Sequence, residues 1–489
     1  MTRAAEATET YDVIVLGGGP PGENAAQYAG ADGLSTALVE RELVGGECSY
    51  WACMPSKALL RPGEVLDTAA HLPGAQQAVS GRLDIDAVLA RRDSFTHSHD
   101  DSSQVRWAEG QGIAVIRGHA RLDGPRTVTV TAADGSVRRL TARQAVVVAT
   151  GSDAVVPPVP GLREAAPWTS RDVTNLHAVP ARVVVLGGGV VGTEATTWLA
   201  SLGARVTMLV RGDRLLTGSE PFAGEIVADR LRAAGVDVRL GVNVEKVERP
   251  EPVTTAEGQP RGTEVTLSLS DGSTLTADEL VVAVGRRPRS DDLGVDTVGL
   301  EPGTPLTTDE HLTVRGVAGE WLYAVGDVCG RAQLTHMGKY QARVAGDVIV
   351  ARAAGRPLDG PRYADRAEPH AVPQVVFSNP QVASVGRTER QARDDGVAVR
   401  VVDYDLASVA GASLLRDDYV GRGRLVVDTA TETLVGATFV GYEVAELLHS
   451  ATVAVIGKVP LETLWHAVPS YPTVSEVWLR LLEAWRSGG

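Results

Sequence analysis

Two glycine-rich turns, each between a predicted strand and a predicted helix, constrain the fold of this chain more than any other feature. Both have the spacing Gly-x-Gly-x-x-Gly, and a second short strand follows each helix. The spaced glycines are Gly17, Gly19 and Gly22 in the first turn and Gly187, Gly189 and Gly192 in the second. Such glycines let the backbone approach a pyrophosphate, whose charge the helix N-terminus stabilises. The sequence therefore predicts two dinucleotide-binding units in an α/β fold.

The residue that ends the second strand of each unit indicates which nucleotide is bound. Glu40 ends this strand in the first unit and can accept hydrogen bonds from ribose hydroxyls. In the second unit Arg211 takes that place and Arg214 follows. Guanidinium groups pair with a 2′-phosphate that a carboxylate would repel, which favours NADPH over NADH. The alternative, with both arginines as solvated surface charges, leaves NADH possible.

The rest of the chain divides by composition. A polar, Arg-rich helical region at residues 62–111 and turn-punctuated strands at residues 113–148 lie between the two units, and we predict that these strands form a meander. Beyond the Gly and Pro cluster at residues 355–362, strand and helix patterns predict a separate α+β domain.

Length and charge bound the number of domains and the class of partner. At roughly 100 to 200 residues per domain, the 489 residues leave room for about three domains. Hydrophobic residues make up 44% and charged residues 22%, enough apolar surface for a large core. The 61 Asp and Glu outnumber the 47 Lys and Arg, for a net charge of -14. We therefore predict no nucleic-acid partner.

Cysteine usage and the apolar runs indicate the compartment. Three cysteines are too few for a secreted disulfide scaffold of this length. Residues 1–10 lack the apolar core of a signal peptide and are interpreted as a frayed lead-in. No apolar run approaches the length of a membrane span. The sequence predicts a cytoplasmic protein without a membrane partner.

The segment at residues 45–57 holds two of the three cysteines and carries the most specific chemistry. Cys48 and Cys53 lie five positions apart. No histidines or further cysteines complete a zinc set at the usual spacing, so we predict no metal site. A redox-active disulfide fits better, because a helix N-terminus favours the thiolate, which is the reactive form of cysteine. The alternative is two unrelated buried thiols.

Taken together, these motifs make the chain resemble the flavoprotein disulfide reductases, the group of dihydrolipoamide dehydrogenase, glutathione reductase and mercuric reductase. The resemblance spans nearly the whole chain. Besides the two glycine turns, Glu40 and the cysteine segment up to Lys57, it covers Ala149-Thr150-Gly151, Glu194, Gly285-Arg286-Arg287-Pro288, Gly326-Asp327 and Pro472-Thr473-Val474-Ser475-Glu476.

The resemblance implies two Rossmann-like domains, for FAD and NAD(P), and a C-terminal α+β dimerisation domain. Its boundaries would be 1–152 and 285–360 for the two parts of the FAD domain, 153–284 for the NAD(P) domain and 361–489 for the interface domain. Cofactor contacts would come, besides the first turn and Glu40, from Lys57, Thr150, Gly151 and Asp327 for FAD, and from the second turn, Glu194, Arg211, Arg214 and Gly285 for NADPH.

The resemblance also implies a route for electrons, from NADPH to FAD and then to the disulfide. Cys53 would be the thiol next to the flavin and Cys48 the interchange thiol that meets substrate. Lys57, paired with Glu194, would lie near the reactive flavin nitrogen, although a plain surface ion pair is the alternative. Tyr471 and Glu476 would complete the active site of a partner subunit, which predicts a homodimer.

One departure from the family pattern affects the catalytic base. Family members carry a histidine immediately before the Pro-Thr of the C-terminal motif, where this chain has Tyr471. A phenol holds its proton more tightly than an imidazole, so Tyr471 is better suited to donate a hydrogen bond than to accept a proton. Glu476 could orient Tyr471. His466 could replace the missing base, but its spacing is not that of the family and a structural role is favoured.

A second departure is the aromatic pair Tyr50 and Trp51 between the cysteines. We expect the two rings to form a bulky wall beside the disulfide, and such a wall weakly favours an aromatic or apolar substrate. Mercuric reductases share the tyrosine but deliver metal with a C-terminal cysteine pair, which this chain lacks. Mercuric reductase itself is therefore disfavoured, and Cys329 is interpreted as a plain buried thiol.

The leading hypothesis is thus an FAD-dependent NADPH:disulfide oxidoreductase that acts on a small-molecule or protein disulfide. The missing histidine motivates an alternative, a quinone reductase, diaphorase or metal-ion reductase that takes electrons directly from flavin. A second alternative is a dihydrolipoamide dehydrogenase-like subunit of a larger complex.

Overall fold

The computed structural model describes residues 8–79, 81–367 and 370–488. Residues 1–7 of the predicted lead-in lie outside the described residues, and Glu9 and Thr10 already belong to the first strand. The chain forms two compact units. Unit 1 comprises the described residues of Met1–Met54, Asp93–Ala154 and Arg286–Glu368, and unit 2 those of Pro55–Arg92, Val155–Gly285 and Pro369–Gly489.

Strands and helices alternate through most of the chain. The strands are β1 (Glu9–Leu16), β2 (Thr36–Glu40), β3 (Ile113–Arg117), β4 (His119–Leu122), β5 (Thr127–Thr131), β6 (Val137–Val148), β7 (Ser152–Ala154), β8 (Arg182–Leu186), β9 (Arg205–Val210), β10 (Asp237–Leu240), β11 (Val244–Glu248), β12 (Val265–Leu269), β13 (Thr274–Ala277), β14 (Glu279–Val282), β15 (Arg286–Pro288), β16 (Leu322–Ala324), β17 (Pro373–Val376), β18 (Gln381–Gly386), β19 (Val399–Asp405), β20 (Arg422–Asp428) and β21 (Thr433–Gly441). The α-helices are α1 (Pro20–Gly30), α2 (Gly46–Tyr50), α3 (Cys53–Ala70), α4 (Ile85–Phe95), α5 (Ser102–Gly110), α6 (Ser170–Thr174), α7 (Val190–Ser201), α8 (Pro221–Ala233), α9 (Thr335–Ala353), α10 (Glu389–Asp394), α11 (Ala410–Ser413), α12 (Leu447–Ile456), α13 (Leu461–Trp465) and α14 (Val477–Arg486).

Unit 1 has a large sheet with the strand order β3-β2-β1-β6-β5-β4, in which β16 also pairs with β6, and a two-stranded sheet of β7 and β15. The strands β1, β2, β3, β6 and β16 are parallel, as expected where helices connect them. Helix α1 turns a face of small residues inward, including Ala25, Ala26 and Ala29. It packs closely on α9, where a Cβ at Gly346 would lie 2.5 Å from the Cβ of Tyr28.

The predicted meander is correct only in part. Strands β4, β5 and β6 pair in antiparallel succession, but β3 pairs in parallel with β2 at the other edge of the sheet. The prediction for β3 was wrong because its partner lies far away in sequence, where local turn signals carry no information.

Unit 2 contains three sheets. The parallel sheet β10-β9-β8-β14 carries the second glycine turn at the end of β8. An antiparallel sheet of β11, β12 and β13 follows in sequence. The C-terminal part of the chain forms the antiparallel sheet β17-β18-β21-β20-β19. Helices α12 and α14 pack against this sheet.

The architecture confirms the predicted fold class, two Rossmann-like dinucleotide domains followed by a C-terminal α+β domain. The residue boundaries of the individual domains stay a prediction. None of the helices in the described part of the chain is long and apolar enough to cross a membrane.

Candidate active site

The first glycine turn has the backbone geometry of a nucleotide-binding loop. Gly17 has a φ of +104°, and a Cβ there would lie 2.4 Å from the carbonyl oxygen of Ala149. A Cβ at Gly22 would lie 1.8 Å from the carbonyl oxygen of Gly17. Gly19 precedes the first residue of α1, and no side chain caps the amides of that helix. These amides and the helix dipole can therefore receive an anionic group.

Glu40 lies at the end of β2, where sequence reasoning placed a ribose-binding carboxylate. Its Oε2 accepts a hydrogen bond from the amide of Gly18 at 2.6 Å, and its Oε1 accepts one from the amide of Glu42 at 2.6 Å. An open cavity of about 100 Å³ lies beside it and is also lined by His119, Thr150 and Asp292. Burial, followed by the charges of Arg41 and Arg121, lowers the pKa of His119, which favours a neutral imidazole there.

Glu23, in the first turn of α1, is a titratable group that sequence reasoning missed. Burial raises the pKa of Glu23 to about 7. The positive charge of Lys339 lowers this pKa, and the negative charge of Glu40 raises it. Its signal in the sequence was a carboxylate placed one residue after Gly22. Partial protonation of this group at neutral pH reduces the negative charge in the first turn of α1.

A second cluster of unit 1 surrounds Asp327. Ser152 is buried and donates a hydrogen bond from Oγ to Asp327 Oδ2 at 2.6 Å. Arg286 Nε donates to Ser152 Oγ at 2.7 Å, and Arg286 Nη2 lies 3.7 Å from Glu47 Oε1. Thr150 donates to the carbonyl of Arg289 at 2.7 Å. Asp327 thus belongs to a bonded group with Ser152 and Arg286, to which the motifs assigned no role, whereas Thr150 bonds separately to Arg289.

The two cysteines lie at adjoining helix positions in unit 1. Cys48 belongs to α2 and Cys53 is the first residue of α3, and both are half-buried. Gly45 and Gly46, with φ values of +111° and +55°, turn the chain into α2, and a Cβ at Gly46 would lie 2.7 Å from the Cα of Gly19. The cysteine segment therefore rests on the nucleotide-binding loop.

Cys53 has a hydroxyl neighbour that sequence reasoning missed. Its Sγ lies 3.3 Å from the Oγ1 of Thr335, the first residue of α9. A hydroxyl at this distance can donate to a thiolate and stabilise it. Cys329, the remaining cysteine, is 4% exposed and lies in an apolar core of unit 1, as expected for a structural thiol.

The two aromatic residues between the cysteines, expected to form a wall beside the disulfide, are buried in unit 1. Tyr50 is 1% exposed and Trp51 is 7% exposed. The Tyr50 hydroxyl donates to the carbonyl of Val44 at 3.1 Å, and both rings pack against His99, with centroids 6.0 Å and 5.5 Å away. The two rings are core residues, because each buries a large apolar surface and finds a partner inside the unit.

In unit 2, Lys57 and Glu194 form the predicted ion pair. The Nζ of Lys57, on α3, lies 2.8 Å from the Oε2 of Glu194, on α7. The Oε1 of Glu194 accepts a hydrogen bond from the amide of Phe377 at 2.9 Å. Glu194 is 4% exposed, so this is not the plain surface pair of the alternative interpretation. Phe377, which follows β17, was missed because no motif placed it near Lys57.

The second glycine turn repeats the geometry of the first. Gly187 has a φ of +116°, and a Cβ at Gly192 would lie 2.1 Å from the carbonyl oxygen of Gly187. A Cβ at Gly189, at the start of α7, would meet nothing within 4 Å among the described residues. The turn thus leaves room in front of uncapped helix amides.

Arg211 and Arg214 follow β9 in unit 2. Arg211 is exposed, and Arg214 is half-buried with its Nε buried and without a hydrogen-bond partner among the described residues. Gly285, between β14 and β15, has a φ of +141°. Buried guanidinium donors normally find acceptors, and this Nε of Arg214 remains able to donate to one.

The C-terminal candidates are separated from one another. Tyr471 is 75% exposed, whereas Glu476 is 5% exposed and accepts a hydrogen bond from Arg480 at 2.6 Å. Glu476 therefore bonds to Arg480, and the expectation that it orients Tyr471 is wrong within this chain. His466 is exposed at the end of α13. No group of His, Cys, Asp and Glu within the described residues could hold a metal ion.

Comparisons with known proteins agree with this geometry. The family model for pyridine nucleotide-disulphide oxidoreductases matches residues 11–342, and the model for the dimerisation domain of the same family matches residues 372–481. A dihydrolipoyl dehydrogenase of Chlorobaculum tepidum is 33% identical, with 97% of each chain covered. A glutathione reductase of Burkholderia cepacia is 30% identical, with 96% of this chain and 98% of the other covered.

The fold also matches solved structures. The Cu(II) complex of the HOCl-induced flavoprotein disulfide reductase RclA from Escherichia coli superposes with a TM-score of 0.81 at 23% identity, over 97% of this chain and 99% of the other. Members of the matched family are FAD-dependent oxidoreductases that use NAD(P)H and act on sulfur groups. With two family models that together cover most of the sequence, the chain belongs to the pyridine nucleotide-disulphide oxidoreductases.

Proposed function

We propose that the chain is an NADPH:disulfide oxidoreductase in which Cys48 and Cys53 form the redox-active pair. The observation that carries the proposal is the placement of these cysteines. They lie on adjoining helices, Gly46 packs against Gly19 of the nucleotide loop, and Thr335 lies 3.3 Å from Cys53. A reactive thiol needs a helix N-terminus or a donor that stabilises its thiolate, and Cys53 has both.

The residues of unit 1 fit an FAD. A Cβ at Gly17 or Gly22 would clash with the backbone, so the turn can lie close to a pyrophosphate, which the uncapped amides of α1 can bind. The carboxylate of Glu40, held by the amide of Gly18, suits the ribose. Asp327, held by Ser152, would bind the ribityl hydroxyls. When bound, FAD would accept a hydride from the nicotinamide and supply two electrons to the disulfide.

The residues of unit 2 fit a nicotinamide dinucleotide. The open space at Gly189 suits the pyrophosphate. Arg211 and the unsatisfied Nε of Arg214 suit a 2′-phosphate, which NADPH carries and NADH lacks. Lys57, paired with Glu194, would present its ammonium where the reduced flavin gathers negative charge.

The cysteines would then perform thiol–disulfide exchange. Cys48, as thiolate, attacks one sulfur of the substrate disulfide, forms a mixed disulfide and releases one substrate thiol. Cys53 attacks the sulfur of Cys48, which restores the Cys48–Cys53 bond and releases the second substrate thiol. The two electrons stored in the dithiol thus reduce one substrate disulfide to two thiols. Small-molecule disulfides, lipoamide and protein disulfides all fit this chemistry, and a reducing cytoplasm would suit it.

A homodimer is part of the proposal. The dimerisation-domain match and the exposed Tyr471 support a site completed by Tyr471 and Glu476 of a second subunit. Tyr471 would donate a hydrogen bond to the substrate rather than act as a base.

An anaerobic titration with NADPH, followed by turnover with a disulfide substrate, tests the proposal. We expect a long-wavelength absorbance band from a thiolate beside the flavin, and loss of disulfide turnover in Cys48→Ser but not in Cys329→Ala. Flavin reduction by NADPH should persist in both variants. Full disulfide turnover by Cys48→Ser would refute the route through the cysteine pair.

Tyr471 favours a second candidate function, the direct reduction of quinones or metal ions from flavin. The family's histidine would serve thiol chemistry, and a tyrosine serves it less well. In this case NADPH would bleach the flavin without the long-wavelength band, and Cys48→Ser would reduce a quinone at the wild-type rate.

A further inference from the structure

Three separate segments of unit 2 meet at the Lys57–Glu194 pair, and the third of them has no assigned role. Lys57 lies on α3, Glu194 lies on α7 and Phe377 follows β17. Phe377 contacts both partners. Its amide donates to Glu194 Oε1 at 2.9 Å, and the centroid of its ring lies 4.8 Å from Lys57 Nζ.

The contacts of Glu194 account for both of its oxygens. A buried carboxylate is costly unless each oxygen finds a donor, and Glu194 is 4% exposed. Lys57 serves Oε2 and the amide of Phe377 serves Oε1. The carboxylate therefore cannot rotate without breaking one of these bonds.

The contacts of Lys57 are arranged differently. Glu194 takes one side of the ammonium, and the ring of Phe377 lies within the distance of about 6 Å at which an aromatic face attracts a cation. Lysine has a flexible stem and three rotatable donors, so a single ion pair does not fix its position. The ring of Phe377 gives the ammonium a second contact, and the two contacts together restrict its position. The Lys57 side chain remains 36% exposed.

We propose that Phe377 is a positioning residue: its amide holds Glu194, and its ring fixes the ammonium of Lys57 at the cofactor. The proposal rests on the proposed function for the role of that ammonium, but the contacts themselves do not depend on the substrate. A leucine would fill similar space without an electron-rich face, so the aromatic character is the property under test.

The test compares Phe377→Leu and Phe377→Tyr with the wild-type holoenzyme. Both variants keep the backbone amide, and only Phe377→Tyr keeps a ring. An amine-acylating reagent, with labelling of each lysine followed by mass spectrometry, reports how freely Lys57 moves. The chain suits this measurement because it has four lysines, Lys57, Lys246, Lys339 and Lys458. Lys246, in an exposed pair with Glu248, is the internal reference.

We expect the labelling of Lys57 relative to Lys246 to rise about threefold to tenfold in Phe377→Leu, as for a lost cation–π contact, and to stay at the wild-type level in Phe377→Tyr. The midpoint potential of the bound flavin should fall in Phe377→Leu alone, where a tenfold effect corresponds to about 30 mV for two electrons. Flavin reduction by NADPH should slow while the KM for the acceptor stays unchanged.

Unchanged labelling and potential in Phe377→Leu would overturn the proposal, as would a Phe377→Tyr variant that behaves like Phe377→Leu. If Lys57 resists the reagent in all proteins, the potential alone decides. If Phe377→Leu fails to fold, Phe377→Met replaces it under the same criteria. Labelling is read without turnover, so failure of the cysteine route in the Cys48→Ser test leaves this result independent.

Discussion

At the scale of single residues, Gly22 gives the sharpest prediction. A Cβ there would lie 1.8 Å from the carbonyl oxygen of Gly17, so Gly22→Ala must displace the turn that receives the pyrophosphate. We expect the purified variant to retain less than about a tenth of the wild-type flavin, the loss expected for a misplaced phosphate loop. The ratio of flavin to protein absorbance measures this.

The control for Gly22→Ala is Gly110→Ala at the end of α5, where a Cβ would meet nothing within 4 Å among the described residues. It should bind flavin like the wild type. Wild-type flavin content in Gly22→Ala would mean that the turn does not hold the cofactor.

The predicted preference for NADPH can be tested at Arg211. Replacing it by glutamate places a carboxylate where the 2′-phosphate is expected, so Arg211→Glu should lower kcat/KM for NADPH by about tenfold or more relative to NADH. Arg205→Glu, at the opposite end of β9 and also exposed, is the matched control. An unchanged ratio of the two specificity constants would show that Arg211 does not contact the nucleotide.

Residues whose role follows from their neighbours along the chain could be predicted from motifs. Residues whose role depends on a partner far away in sequence could not. Glu40 and the paired glycines occupy the positions that their spacing indicates. Thr335 and Phe377 could not be found, because each meets its partner only through the tertiary fold. The burial of Tyr50 and Trp51 was not predicted either, because nearness in sequence to a cysteine does not indicate how deeply a ring is buried.

At the scale of elements, the half-buried carboxyl in the first turn of α1 predicts a pH effect on stability. The pKa of Glu23 is raised from an ordinary 4.5 to about 7 by burial in the folded chain. Between these values the folded chain binds more protons than the unfolded one, so stability falls as pH rises through this window. The slope from one group is at most about 1.4 kcal/mol per pH unit.

Glu23→Gln tests this effect. The variant cannot ionise, so its melting temperature should fall less than that of the wild type between about pH 5 and pH 7. Glu109→Gln, at an exposed position of α5, is the control and should follow the wild type. Parallel curves for the wild type and Glu23→Gln would mean that Glu23 titrates normally.

The order of elements followed the sequence pattern where the pattern is local. Strand β8 precedes the second glycine turn and β9 follows α7, as the sequence predicts, because their apolar runs are short and bounded by turn residues. The pairing of β3 was missed, since register between distant strands is set by burial in the finished sheet and not by the strand's own residues.

At the scale of the whole molecule, an apolar surface of unit 2 bears on the proposed homodimer. Val453 and Ile456 on α12 and Val468 beyond α13 are 51%, 45% and 87% exposed. Large exposed apolar side chains on one element are typical of an interface. The double variant Val453→Glu/Ile456→Glu should halve the mass measured by analytical ultracentrifugation.

The same double variant should lose disulfide turnover and keep flavin reduction by NADPH, because only the exchange step would need the second subunit. Val137→Glu on β6 of unit 1, where the side chain is 44% exposed, is the matched control. A wild-type mass for the double variant would place any dimer contact elsewhere.

The close approach of Gly46 to Gly19 has a consequence for which parts of the chain can change independently. Because the start of α2 rests on the first glycine turn, a larger residue at Gly46 would have to displace either that turn or the segment that carries Cys48. The place proposed for the cofactor and the place proposed for thiol chemistry thus share one backbone contact and are constrained to vary together.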